Sequence, residues 1–390
     1  MIDAGSVPRR LVATCSRGLE EVLAAELGAL GMAEVTAGRG FVGFAGGLRE
    51  MYAANLKLRT AMRVVVPVAK GPARDRDELY RLGGTAPWHE LLAKGQTIGV
   101  DVAGRSRAFH NSVFAAQVVK DAVVDAVRSR RGWRPSVDRT APDIRLHLHL
   151  AEDASTLSID STGEPLSHRG YRPRGGPAPL AETLAAGVLL LAGYDGTQAL
   201  LDPMCGTGTF VVEAALIATR TPPGLRRTFA FERWTTHDSA RYHEVVTAAE
   251  RERRDAPAAI VGYDCDRRAI RAAGQNLEAA GVSRWVVLER RDALDLELPW
   301  SEGGMIVANP PYGKRMGEVE GLGDFYERFG DRLKHRAQGA TAWLLVGNRE
   351  LANRIGLRPA RRIPLFNGPI ECRLLGYELY SGSRKAKQTS

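Results

Sequence analysis

An apolar run, Met305 to Ala308, leads into Asn309-Pro310-Pro311-Tyr312-Gly313. Two successive prolines remove two backbone donors and fix two φ angles, so the carbonyls of Asn309 and Pro310 project rigidly without a local partner. Such a pair of acceptors suits an amine. An exocyclic nucleobase amine is a poor nucleophile because its lone pair is delocalised into the ring. An amide oxygen and a backbone carbonyl accepting its protons would aim that lone pair at an electrophile, and Tyr312 offers a flat face on which the base can stack. A proline-rich loop with a structural asparagine is the plainer alternative; the position of the motif after a fourth strand of one sheet argues against it.

A second constellation lies upstream. Leu200-Leu201-Asp202 reads as a strand that passes through Pro203-Met204-Cys205 into Gly206-Thr207-Gly208 and a helix beginning at Thr209. Glycines let the backbone turn tightly and approach a ligand, and the N–H groups of a helix start can bind polar atoms. Alone, this is a tight strand-to-helix turn. The next strand, however, ends in Tyr263-Asp264-Cys265-Asp266, which places a carboxylate where the ribose hydroxyls of a bound nucleoside need an acceptor. The strand after it ends in Arg290-Arg291-Asp292-Ala293. One such aspartate is as readily a helix cap; three at the carboxyl ends of successive parallel strands mark a ligand-binding edge.

These residues require a doubly wound sheet. Ala199 to Leu201, Ala259 to Val261, Val286 to Leu288, Met305 to Ala308 and Ala342 to Val346 are apolar on both faces, and helices are expected between them at Thr209 to Arg220, Arg267 to Ala280 and Leu322 to Arg336. That alternation predicts a parallel sheet covered on both sides. Arg362 to Phe366 and Cys372 to Tyr380, joined at Asn367-Gly368, predict a closing antiparallel hairpin. Before residue 163 the pattern is α+β: strands at Leu11 to Thr14, Phe41 to Phe44, Arg63 to Val68 and Ile144 to Leu150, with helices at Gly18 to Leu30, Leu48 to Leu58 and Ser112 to Arg130. Between the halves, Gly163 to Pro179 holds four prolines and four glycines, a density that breaks regular structure.

At 390 residues and 44% apolar, the chain has enough material for two or three domains. No run reaches the roughly 18 consecutive apolar residues of a membrane helix, and the N-terminus lacks a secretory pattern, so a cytoplasmic protein is expected. The formal charge is +9, and 46 of the 54 basic residues are arginine, a balance suited to phosphate. Cys15, Cys205, Cys265 and Cys372 are far apart, without the paired spacing of a zinc ribbon or a disulfide framework. His147 and His149 share a strand face but have no cysteine or carboxylate cluster nearby, so they read as a polar sheet face. No metal is expected.

Asp202 to Phe210, Tyr263 to Asp266, Asp292 and Asn309 to Gly313 together resemble the class I S-adenosylmethionine-dependent methyltransferases that modify exocyclic amines. The Asn-Pro-Pro-Tyr motif occurs in enzymes acting on adenine N6, cytosine N4, guanine N2 and a glutamine amide, so it leaves the substrate open. Thr14 to Leu23, Val119 to Asp125, Arg134 to Asp138 and Pro142 to Ile144 resemble the ferredoxin-like and THUMP regions of RNA guanine-N2 methyltransferases. Leu166 to Pro173 resembles their linker, and Ala178 to Ala185 the helix that closes over the methyl donor.

The resemblance implies a Rossmann-like methyltransferase domain over residues 180–390. It would follow a ferredoxin-like region at 1–62, an RNA-binding THUMP domain at 63–163 and a linker at 164–179. Asp202, Pro203, Cys205, Gly206, Gly208 and Thr209 would shape the donor pocket, with Glu182 and Thr183 at the methionine end, Asp264 on the ribose, and Asp292 with Ala293 at the adenine. Asn309, Pro310 and Tyr312 would be catalytic, and Cys205 a small packing residue, since amine methylation needs no covalent enzyme intermediate. Arg128, Arg130, Arg131, Arg134, Arg169 and Arg172 would meet RNA.

Glu371 to Leu375 and Pro222 to Leu225 look most like the bacterial enzymes acting on large-subunit ribosomal RNA. Some of those carry a second methyltransferase domain; this chain stops at Ser390, so only the first activity is expected, on a monomer. The expected substrate is a guanine N2 of 23S ribosomal RNA. A tRNA guanine N2 is the alternative, followed by adenine N6 of DNA.

Overall fold

A computed structural model describes residues 9–173, 180–301, 303–312 and 318–380. Of the features expected from sequence, the linker residues 174–179, Gly313 and the basic tail Arg384 to Lys387 lie outside the described residues. Contacts divide the chain into two units. One comprises the stretch up to Cys15, Leu23–Leu166 and Arg227–Ala248; the other comprises Ser16–Val22, Ser167–Arg226 and the chain from Ala249 onward.

The first unit is built on an eight-stranded sheet: β1 (Arg9–Cys15), β2 (Ala33–Gly38), β3 (Phe41–Gly46), β4 (Ala61–Gly71), β5 (Thr97–Gly104), β6 (Ser136–Val137), β7 (Ile144–Leu150) and β8 (Ser155–Asp160). Their order is β2-β3-β1-β4-β8-β7-β5-β6. The 11-residue β4 pairs with β1 along one edge and β8 along the other, so a single strand crosses the expected boundary at residues 62 and 63. Alternation in β7 is as the sequence implies: Ile144, Leu146, Leu148 and Leu150 are buried, packed with Val119, Val123 and Val127 of the helix Ser112–Arg131. That helix starts where Asn111 accepts from the N–H groups of Val113 and Phe114, and stops at Gly132 with φ 72°, in the left-handed region open to glycine.

Arg227–Ala248 joins this unit although the sequence places it inside the second half. Its anchor is aromatic. The Tyr52 ring lies 4.6 Å from Phe231 and 5.4 Å from Tyr242, and its hydroxyl accepts from the Asp238 N–H at 3.0 Å.

The second unit carries β9 (Leu200–Asp202), β10 (Ile260–Asp264), β11 (Val286–Arg290), β12 (Met305–Ala308), β13 (Thr341–Val346), β14 (Arg361–Asn367) and β15 (Ile370–Glu378). The order β11-β10-β9-β12-β13-β15-β14 is parallel through β13, and β15 is antiparallel to both neighbours. This is the α/β sheet with a closing hairpin that the sequence implied. Strand order reverses between β9 and β12, the point where open α/β sheets bind ligands. One detail differs from expectation: Asn367 pairs with Ile370, so the two turn residues are Gly368 and Pro369. Gly368 has φ 59° at the first central position, where a hairpin turn demands it.

Candidate active site

The turn after β9 is held by the strand beside it. The Cys205 N–H donates to the Tyr263 carbonyl at 2.8 Å, and the Gly206 N–H donates to Asp264 Oδ2 at 2.9 Å. Asp264 Oδ1 accepts from the Asp266 N–H at 2.9 Å, so two backbone donors fix this carboxylate. Gly206 and Gly208 have φ 53° and 84°. A Cβ on Gly208 would stand 3.0 Å from the Ala273 methyl, whereas one on Gly206 would meet nothing within 4 Å among the described residues. Gly208 is therefore needed for close packing, and Gly206 for its backbone conformation beside open space. The Thr207 carbonyl accepts from Asn276 Nδ2 at 2.8 Å.

Asp202 lies beneath this turn, 2% exposed, and accepts from the Met204 N–H at 3.1 Å. Burial and the nearby Asp264 charge push its carboxyl up to about 8. Cys205 is buried, and burial with Asp202 and Asp264 nearby pushes its thiol well above the ordinary range. It is packing material, as expected, and not an activated nucleophile. Pro203, Thr209 and Ala293 are buried, while Asp292 is exposed and caps the turn Ala293–Asp295 through the Leu294 N–H.

Glu182 and Thr183, 6% and 3% exposed, open the helix Glu182–Leu191. Arg172 Nη1 reaches Glu182 Oε1 at 3.1 Å and the Leu180 carbonyl at 3.1 Å, and Nη2 donates to Thr209 Oγ1. Burial pushes the Glu182 carboxyl above its ordinary value, and the Arg172 charge opposes the shift. One guanidinium thus ties the segment before the helix to the start of the helix after β9. Arg169 is only 3% exposed and faces Glu213 Oε1 at 3.5 Å, an oxygen that also accepts from the Tyr171 hydroxyl at 3.2 Å. The expectation that Arg169 and Arg172 meet RNA is corrected here: both guanidiniums are committed to carboxylates within the unit. Arg128, Arg130, Arg131 and Arg134 are exposed on the first unit. Arg128 pairs with Asp125, and Arg131 donates to the His89 carbonyl.

At the end of β12, Pro310 is buried and Asn309 half-buried. The Tyr312 hydroxyl donates to Asn309 Oδ1 and accepts from Cys372 Sγ at 3.9 Å. The Pro311 carbonyl accepts from the Tyr326 hydroxyl at 3.0 Å. A Cβ on Gly347 would lie 2.8 Å from the Tyr312 ring, so the ring rests directly on backbone. Sequence reasoning missed these supports, and with them Glu213, Asn276 and Gly347. Their partners are distant in sequence, and no local spacing announces them.

A description of the RMKL-like methyltransferase domain matches residues 169–375, more than half of the chain. The chain belongs to the RMKL-like methyltransferases. An RlmL ferredoxin-like domain matches residues 10–65 and a THUMP domain residues 73–160, so both N-terminal regions implied by the sequence are present. This RMKL-like chain is 43% identical over 384 residues to a ribosomal RNA large subunit methyltransferase K/L of Syntrophotalea carbinolica, covering 95% of the chain but 54% of that relative. It spans about half the length of the K/L relatives it matches. Against slr0064 of Synechocystis, described as a candidate RNA methyltransferase, identity is 40% over 374 residues, covering 95% of this chain and 97% of that one. Among solved structures, SMU.472, a candidate methyltransferase complexed with SAH, superposes with TM-score 0.88 at 28% identity, over 97% of this chain and all of that one.

Proposed function

We propose that this chain transfers a methyl group from S-adenosylmethionine to the exocyclic N2 of a guanine in large-subunit ribosomal RNA, in the cytoplasm. One observation carries the reading: β9 and β12 are neighbours in register, so the Asp202-to-Gly208 turn and the Asn309 loop leave the sheet side by side at its switch point.

The residues fit the donor. Gly206 leaves open space beside the oriented Asp264 carboxylate, the arrangement a ribose needs, and Glu182, with Asp202 once it ionises, supplies negative charge for a cationic methionine end. S-adenosylmethionine, when bound, supplies the electrophilic methyl. Asn309 Oδ1, turned by the Tyr312 hydroxyl, accepts one proton of the amine through its remaining lone pair, and the Pro310 carbonyl accepts the other. Both acceptors sit on a loop stiffened by two prolines, so the amine lone pair is aimed before the reaction begins. The K/L relatives support a ribosomal substrate, and the THUMP match supports RNA.

In the decisive experiment, Asn309→Ala retains donor binding by calorimetry and loses transfer to ribosomal RNA by about 100-fold. Full turnover in the variant, or no donor binding by the unaltered protein, would contradict the mechanism.

A further inference from the structure

Beyond the end of β13 lies a cavity of about 600 Å³ whose lining includes Arg349, Arg358, Arg362 and Arg373 against, among the described residues, one carboxylate, Glu371. A volume of this size admits a nucleotide. All four arginines are exposed, and among the described residues none of their guanidiniums has an ion-pair or hydrogen-bond partner. Elsewhere the unit neutralises its inward-facing guanidiniums, as at Arg169 and Arg172.

Register explains the convergence. Arg362 stands opposite Leu375, and Pro364 opposite Arg373, so Arg362 and Arg373 are diagonal neighbours on one sheet face. Two adjacent guanidiniums repel each other unless an anion joins them, and a phosphate can bond to both. The cavity also has an apolar side, Val346, Leu357 and Leu375. In its wall, Tyr377 is 2% exposed with a hydroxyl that has no hydrogen-bond partner among the described residues. Gly347 lines the cavity too and is the residue on which the Tyr312 ring rests. The cavity therefore adjoins the amine-accepting loop.

We infer that this cavity is a nucleotide subsite. It takes a nucleotide of the RNA strand flanking the methylated guanosine, with the phosphate on Arg362 and Arg373 and the base against the apolar side. This inference rests on the proposed RNA substrate. Unstacking a base for methylation costs free energy, and a phosphate clamp on its neighbour beside Tyr312 offsets part of that cost without reading sequence.

The test uses the whole chain and an unmodified large-subunit ribosomal RNA transcript. Arg362→Ala/Arg373→Ala is expected to raise the KM for RNA about tenfold with kcat within about twofold. The slope of log affinity against log salt should flatten by about one, with the Kd for S-adenosylmethionine unchanged. Arg362→Lys/Arg373→Lys should recover the slope. An unchanged KM and an unchanged slope in the alanine variant overturn the subsite. Failure of the unaltered protein to methylate the transcript is a different result: it overturns the proposed substrate, and the slope comparison still judges the cavity.

Discussion

At the scale of the residue, the sharpest consequence belongs to Asp202. In the folded site its carboxyl stays protonated up to about pH 8, whereas an unfolded chain ionises near 3.9. Its raised value means that it favours the fold fully only below about pH 4, and that this contribution is lost as pH rises towards 8. A cationic donor prefers the ionised form. Binding should therefore release a proton, and donor affinity should rise from pH 6 to 8 and level off above. Calorimetry in two buffers of different ionisation enthalpy measures this directly, and Asp202→Asn should give a flat profile. The proposed mechanism gives Tyr312 two separable roles, the hydrogen bond to Asn309 and a ring on which a base would stack. Tyr312→Phe keeps the ring and should cost roughly tenfold in kcat, and Tyr312→Ala should cost further through the KM for RNA. Equal losses in both variants would leave stacking without support.

At the scale of the element, capping decided what could be read in advance. The helix Arg267–Ala280 was legible to the residue because Asp266 caps its start and Gly281, at φ 71°, ends it. β7 was legible from strict alternation. β2 was not, because Ala33-Glu34-Val35-Thr36 lies at a sheet edge with little buried. β8 was not, because Ser155 and Ser158 are polar residues buried through pairing with β4 and β7. At the candidate site, the strand end at Asn309 and the tight glycine turn after β9 were legible because their signals are local. The burial of Arg169 and the pairing of Arg172 were not, since a guanidinium carries no local sign of whether a phosphate or a distant glutamate will meet it.

β8 also ends in a charge cluster, where fully buried Asp160 meets His147 at 3.2 Å and Arg63. Burial raises the Asp160 carboxyl, but the His147 hydrogen bond and the Arg63 and His147 charges more than reverse this, so it lies below its ordinary value. A lowered carboxylate stabilises the fold above about pH 3.9, and the contribution is lost as pH falls below that. Asp160→Asn should cost roughly 3–5 kcal/mol near neutrality, and its urea midpoint should converge on that of the unaltered protein as pH drops from about 4 towards 2. A constant gap across that range would show that the ionised carboxylate is not the source.

At the scale of the whole molecule, the RMKL-like unit carries the two constellations that the proposed transfer needs, and the first unit carries Arg130, Arg131 and Arg134 on its surface. If those guanidiniums meet RNA phosphates, replacing all three with alanine should flatten the salt dependence of RNA affinity by about two to three. Donor affinity should stay unchanged; an unaltered salt slope would place the RNA path elsewhere. Nucleoside analysis decides the substrate. The protein is incubated with labelled S-adenosylmethionine and, separately, with ribosomal RNA, tRNA and DNA, and each pool is digested and its methylated nucleosides separated. N2-methylguanosine in ribosomal RNA alone is expected, and N6-methyladenine in DNA or label confined to tRNA would overturn the proposed substrate.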